Sequence, residues 1–125
     1  AKNTYEDPTS KAAMTTAHQR VDDVHVFDLQ GQLNSGNAAS AESDILAQVT
    51  GGARKVVLDL TALDYIPSAG FGVVLGPAKR LKQAGGKLVL AGMQPHVREV
   101  FDVSGFLAIL NVAPDRQTAL SALAT

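Results

Sequence analysis

Five consecutive residues, Val56-Val57-Leu58-Asp59-Leu60, restrict the fold of this chain more than any other feature of its sequence. A strand with one wet face alternates apolar and polar side chains. A nearly continuous β-branched and apolar run belongs to a central strand covered on both faces or close to it. The segments around the run alternate strand and helix signals at short spacing, and no internal repeat or interdomain linker interrupts them. The reading is α/β, with helices supplying the cover.

Upstream, Val24, Val26 and Asp28 alternate with His25, Phe27 and Leu29 as far as Gly31, which predicts a strand over about 22–30. Residues 14–20 pair with it as an edge strand across a turn at Asp22-Asp23. After Asn34-Ser35-Gly36, where a polar side chain suits a helix cap, Ala38, Ala41, Ile45 and Val49 fall at helical spacing until Gly51-Gly52. A connection over 61–67 leads to Ser68. From there Phe71, Val74, Leu75, Ala78 and Leu81 mark a second helix, ended by Gly85-Gly86. Pro77 lies inside it and lacks the N–H for the Val73 carbonyl, so a kink or a lost hydrogen bond is expected. Lys87–Ala91 reads as a short buried strand. Pro95 opens a third helix with Val97, Val100 and Phe101 inward, and Gly105 ends it with Phe106 folding back. Residues 108–112 read as a last strand, and Pro114 as the start of a terminal helix with Ala119, Leu120 and Leu123 inward. The expected order is β-β-α-β-α-β-α-β-α.

At 125 residues the chain fits one domain, read as residues 14–125 behind a polar, flexible leader over 1–13. Eleven Lys and Arg against twelve Asp and Glu leave no basic excess for phosphate backbones, so nucleic acid is not an expected partner. Zero cysteines exclude disulfides, thiolate metal sites and cysteine nucleophiles, and fit a reducing, cytoplasmic setting. No apolar run approaches the roughly 20 residues that span a bilayer, so no direct membrane insertion is expected.

Catalytic constellations are weak. Ser68 at a helix start suits a cap for the backbone donors of Gly70 or Phe71. As a hydrolase elbow it lacks the upstream glycine, because Ile66 occupies that position. Gly70, Gly72 and Gly76 lie within the second helix, where a dinucleotide fingerprint does not work; the glycines at 72 and 76 let the helix approach a neighbour closely. His18, His25 and His96 show no metal-ligand spacing. Asp59 and Asp64 flank the end of the central strand, which leaves two readings open, a carboxylate pair or turn-making. Lys79, Arg80, Lys82 and Lys87 form one basic cluster, either a solvated face or a surface for an acidic partner. The chain is read as a non-enzyme with no cofactor and no metal.

Three segments carry a family resemblance: Val56-Val57-Leu58-Asp59-Leu60, Leu63-Asp64-Tyr65-Ile66-Pro67-Ser68-Ala69-Gly70-Phe71-Gly72, and Ala84-Gly85-Gly86-Lys87-Leu88. Leu29-Gln30-Gly31-Gln32-Leu33-Asn34 extends it upstream, and Phe101-Asp102-Val103-Ser104-Gly105 downstream. Over about residues 14–123 the chain resembles a STAS domain of the bacterial anti-sigma factor antagonist type. The resemblance implies a single domain with a mixed sheet, helices mainly on one face, and a phosphoserine-controlled protein-binding switch. It puts the phosphorylated serine at Ser68 and the partner surface at Asn34, Pro67, Ser68, Ala69, Gly70 and Phe71. The implied partners are an anti-sigma factor that is also an ATP-binding serine kinase, and a serine phosphatase. Pro67 and Asn34 stand where many phosphorylated members carry Asp. They keep open the alternative of a STAS scaffold or transporter-associated regulatory domain that is not phosphorylated.

Overall fold

The apolar run at 56–60 forms the middle of a mixed sheet in the computed structural model, which describes residues 15–66 and 71–124. β1 (Thr15–Val21) and β2 (Val24–Gln32) make an antiparallel hairpin. Its two-residue turn places Asp22 at φ 56, a left-handed conformation that Asp tolerates. β3 (Lys55–Asp59) lies parallel to β2, β5 (Lys87–Ala91) parallel to β3, and β6 (Asn111–Ala113) parallel to β5. The strand order is β1-β2-β3-β5-β6, with the short β4 (Leu63–Tyr65) pairing with β2 beyond the end of β3.

Side-chain alternation assigns each strand residue to one of two layers. Phe27, Leu29, Val56, Leu58, Leu88 and Leu90 face a large cluster closed by Ala38, Ala41, Ile45 and Val49 of α1 (Ser35–Thr50). Val73, Val74 and Leu81 of α2 (Gly72–Gln83) and Val97 and Phe101 of α3 (Pro95–Val103) complete it. On the other face Val24, Val26, Val57, Val89, Ala91 and Ala113 meet Ala119 and Leu123, at and just beyond α4 (Arg116–Ala122). Among the described residues three helices cover one face and one covers the other, the mixed sheet and helix distribution that the family resemblance implied.

The expected elements hold with specific corrections. Residues 61–67 are not simply a connection, because Leu63–Tyr65 forms β4. The strand expected at 108–112 begins at Asn111, after a single 3-10 turn over Phe106–Ala108. β2 continues past Gly31 to Gln32, with Gly31 at φ 99 where the pairing passes to β4. The last helix is capped by Asp115, whose carboxylate accepts from the Thr118 N–H at 2.7 Å, and not opened by Pro114. α2 continues through Pro77, whose missing N–H costs the helix its bond to the Val73 carbonyl as expected, and its buried stripe includes Val73 and Pro77, which the expected face omitted. The leader at 1–13 lies outside the described residues.

Candidate functional site

The end of β2, the start of α1 and β4 meet at one corner of the sheet. The Gly31 N–H donates to the Ala62 carbonyl at 2.9 Å and the Leu33 N–H to the Tyr65 carbonyl at 3.0 Å, tying β4 to the residue just before Asn34. Asn34 then starts α1 through a reciprocal cap. The Asn37 N–H donates to Asn34 Oδ1 at 2.9 Å, and the Asn34 N–H donates to Asn37 Oδ1 at 2.8 Å. Two otherwise unpaired helix-end donors are satisfied this way. Asn37 also donates from Nδ2 to the Gln32 carbonyl at 3.0 Å, fastening the cap to β2.

Beside this cap, Tyr65 is 53% exposed while the next residue, Ile66, is buried. Phe71 is buried at the head of α2, its ring 5.0 Å from Phe101 and edge-on to Phe106 at 4.9 Å. The residues on either side of 67–70 are therefore both core anchors. Pro67, Ser68, Ala69 and Gly70 lie outside the described residues, as do the expected helix start near Ser68 and the exposure of its hydroxyl. Of the six expected partner-surface residues the structure describes two: Asn34, exposed at the helix cap, and Phe71, whose ring anchors α2 in the core.

The glycines of α2 do what a close helix approach needs. A Cβ at Gly76 would lie 2.3 Å from Glu42 Oε2, and one at Gly72 would lie 3.3 Å from Glu42 Oε1. Their absence lets Glu42 of α1 settle over the first turns of α2.

Asp59 and Asp64 do not form a carboxylate pair. Asp59 is 5% exposed and faces α4, where Arg116 donates from Nε to Asp59 Oδ2 at 2.7 Å and from Nη2 to Asp28 Oδ2 at 3.2 Å. Thr61 donates its hydroxyl at 2.6 Å and its N–H at 3.0 Å to Asp59 Oδ1. Burial alone would raise the Asp59 pKa, yet these Thr61 and Arg116 donors hold it below its ordinary value. Asp64 turns elsewhere, accepting from Gln94 Nε2 at 3.2 Å, and its backbone carbonyl meets His96 Nε2. His18 Nε2 and His25 Nδ1 are 3.0 Å apart. Burial keeps His25 below its ordinary pKa, and repulsion from His18 and Arg20 adds to it. Among the described residues no three His, Cys, Asp or Glu side chains gather at a metal-binding distance, and no helix is long and apolar enough to cross a membrane.

Residues 15–119 match the STAS domain family, nearly the whole described fold. The chain belongs to the STAS family. Among its relatives is BtrV of Bordetella bronchiseptica, a candidate anti-sigma factor antagonist by name, 50% identical over 90% of this chain and 97% of that protein. A STAS fold is equally clear in solved structures. A candidate anti-sigma factor antagonist from Thermotoga maritima superposes with a TM-score of 0.83 at 22% identity, covering 88% of this chain and 95% of that one. The anti-sigma factor antagonist SpoIIAA superposes in its unphosphorylated form with a TM-score of 0.76 at 23% identity, covering 89% and 98%. The phosphorylated form of this Bacillus protein gives 0.70 at 24%, covering 86% and 98%.

Within the STAS domain, sequence reasoning missed Arg116, because its partners Asp59 and Asp28 are 57 and 88 residues away. It also passed over Tyr65, an exposed aromatic residue whose backbone is tied to Leu33 just before the Asn34 cap and whose side chain has the amphipathic character that interfaces favour.

Proposed function

We propose that this STAS domain is an anti-sigma factor antagonist. In this reading it docks on an anti-sigma factor through the corner formed by Asn34, Tyr65 and the segment Pro67, Ser68, Ala69, Gly70, Phe71. The likeness to BtrV over 97% of that protein carries the reading. SpoIIAA, whose fold this chain shares, exists in unphosphorylated and phosphorylated forms. In the proposed cycle the unphosphorylated chain binds an anti-sigma factor that is also an ATP-binding serine kinase, which phosphorylates Ser68. A serine phosphatase restores binding, and the cycle belongs to the cytoplasm.

Phosphorylation adds about −1.5 to −2 charges. At a helix N-terminus that charge is favoured by about 0.3–1 kcal/mol, so the fold tolerates it. Against a partner surface an unpaired, desolvated dianion costs several kcal/mol, so binding ends. Pro67 and Asn34 favour a second reading, since both replace acids common beside the phosphorylated serine. In it the chain is an unphosphorylated STAS scaffold or transporter-associated domain.

The two readings separate in one experiment. Ser68→Asp and Ser68→Ala are titrated calorimetrically against the anti-sigma factor captured from native extract, alongside melting curves and phosphopeptide mass spectrometry. The switch predicts that S68D keeps its melting midpoint and binds at least about tenfold more weakly, while S68A binds but accepts no phosphate. Equal affinities, with no phosphate on Ser68 in cells, select the scaffold.

A further inference from the structure

α2 is about 18 Å long, and one side of it carries a surface that the candidate site leaves unused. There Leu75, Ala78, Lys79 and Lys82 face Ile109 and Leu110 across a groove of ≈ 410 Å³. An adjoining hollow of ≈ 280 Å³, bounded by Lys87 and Asn111, shares Ala78, Lys82, Ile109 and Leu110 with the first. The two form one trough between the helix and the segment entering β6.

Its floor and lip are aliphatic. Leu75, Ala78 and Leu110 are half-buried and rest on the main core, while Ile109 is 71% exposed. Its rim is cationic. Lys79, Lys82 and Lys87 line the trough, no Asp or Glu does, and none of the three lysines is ion-paired among the described residues. The whole chain has a net charge of -1, so this is a local concentration of one sign. Leu75, Ala78 and Lys82 are spaced i, i+3, i+7, so the trough follows the α2 axis and matches the ridge of another helix. A bilayer headgroup layer would meet a flat basic face better than a furrow sunk between a helix and a loop.

We propose that this trough docks an acidic amphipathic helix of a protein partner, with aliphatic side chains against Ile109, Leu110 and Leu75 and carboxylates toward Lys79, Lys82 and Lys87. The trough runs along α2 from Leu75 to Lys82, does not include residue 68, and is proposed to act independently of phosphorylation there. It allows two partners, or two parts of one, to hold the domain at once.

The probe is a fluorescent designed helix of about five turns, a leucine stripe flanked by glutamates, titrated against the full chain by anisotropy. A control helix carries lysines in place of the glutamates. The glutamate helix is expected to bind and shift backbone amide resonances at 75–82 and 109–111, and the lysine helix is not. K79E/K82E and Ile109→Ser should each weaken binding at least about tenfold while melting as wild type does, because all three positions are solvent-facing. Equal binding of the two helices, or no loss in either variant, overturns the proposal. So does binding of phosphatidylglycerol-containing vesicles without the glutamate helix, which makes the surface a membrane contact. Self-association of the free chain that I109S abolishes makes it a homotypic contact, and also overturns the proposal.

Discussion

One face of the sheet lies under three helices and holds the large apolar side chains Phe27, Leu29, Ile45, Leu58 and Phe101 among smaller apolar neighbours. The other lies under α4 alone and holds mostly valines and alanines. Among the described residues only this thinner face contains a buried charge, the Asp59 carboxylate pinned by Arg116 and Thr61. The difference shows two ways of seating a helix. Large side chains interlock and define one fit by shape, as close packing demands. Small side chains leave a helix free to slide, and directional charged hydrogen bonds at its first turn fix its position instead.

The largest expected effect breaks the thick face. Phe101→Ala should cost about 3–5 kcal/mol, because it empties the site against Phe71 in a densely packed layer. Chemical denaturation monitored by circular dichroism reads this directly. The thin face should respond to charge more than to volume. Arg116→Met leaves the Asp59 carboxylate 5% exposed without its counter-charge. Because Arg116 is itself one-third open to solvent, the expected loss at neutral pH is about 1–3 kcal/mol, below the 3–5 of a fully buried pair.

The pH dependence has a definite sign. The Asp59 pKa lies below its ordinary 3.8, so the ion pair stabilises the fold above that value and its contribution fades as pH falls through the folded pKa. The gap between wild type and R116M should therefore be full at pH 7 and close below about pH 4. D59N/R116M should be more stable than R116M at neutral pH. A gap that persists in acid would make Arg116 a packing residue and erase the contrast between the faces.

The smallest effect sharpens the contrast within the thick face. Gly76→Ala places a Cβ 2.3 Å from Glu42 Oε2, the free end of a flexible side chain that can swing outward. Alanine is also favoured over glycine in a helix by about 1 kcal/mol, so the net change should stay under about 1 kcal/mol. Gly86→Ala meets the Arg54 backbone carbonyl oxygen at 2.4 Å, which cannot swing aside, and should lose more in the same denaturation series.

The sequence displayed whatever depends on neighbours in the chain. Ala38, Ala41, Ile45 and Val49 are all buried as their spacing predicts, and the cap at Asn34 and the stop at Gly85 follow local rules. What it concealed depends on distant partners or on very short elements. Three residues with one buried position, Leu63-Asp64-Tyr65, carry no readable alternation, so β4 emerges only where Gly31 and Gln32 offer a free edge. Val73 is buried because Gly72 and Gly76 bring α1 onto that side of α2. At the candidate site the chemistry of Asn34 was legible as a cap, and the burial of Phe71 as part of a helical stripe. The exposure of Tyr65 was not, since it follows from β4.

The link from Arg116 to Asp28 and Asp59 also orders events in time. The two aspartates are directly opposite each other on neighbouring parallel strands, so the sheet brings like charges together as it assembles. On a ribosome both are made long before the guanidinium that reconciles them, 57 residues after the second and 88 after the first. A nascent chain can collapse its aliphatic layer early, but this corner stays electrostatically open until α4 emerges. The helix that carries Arg116 thus acts as a latch, and a chain cut just short of residue 116 should keep its helices on one side while the opposite side breathes.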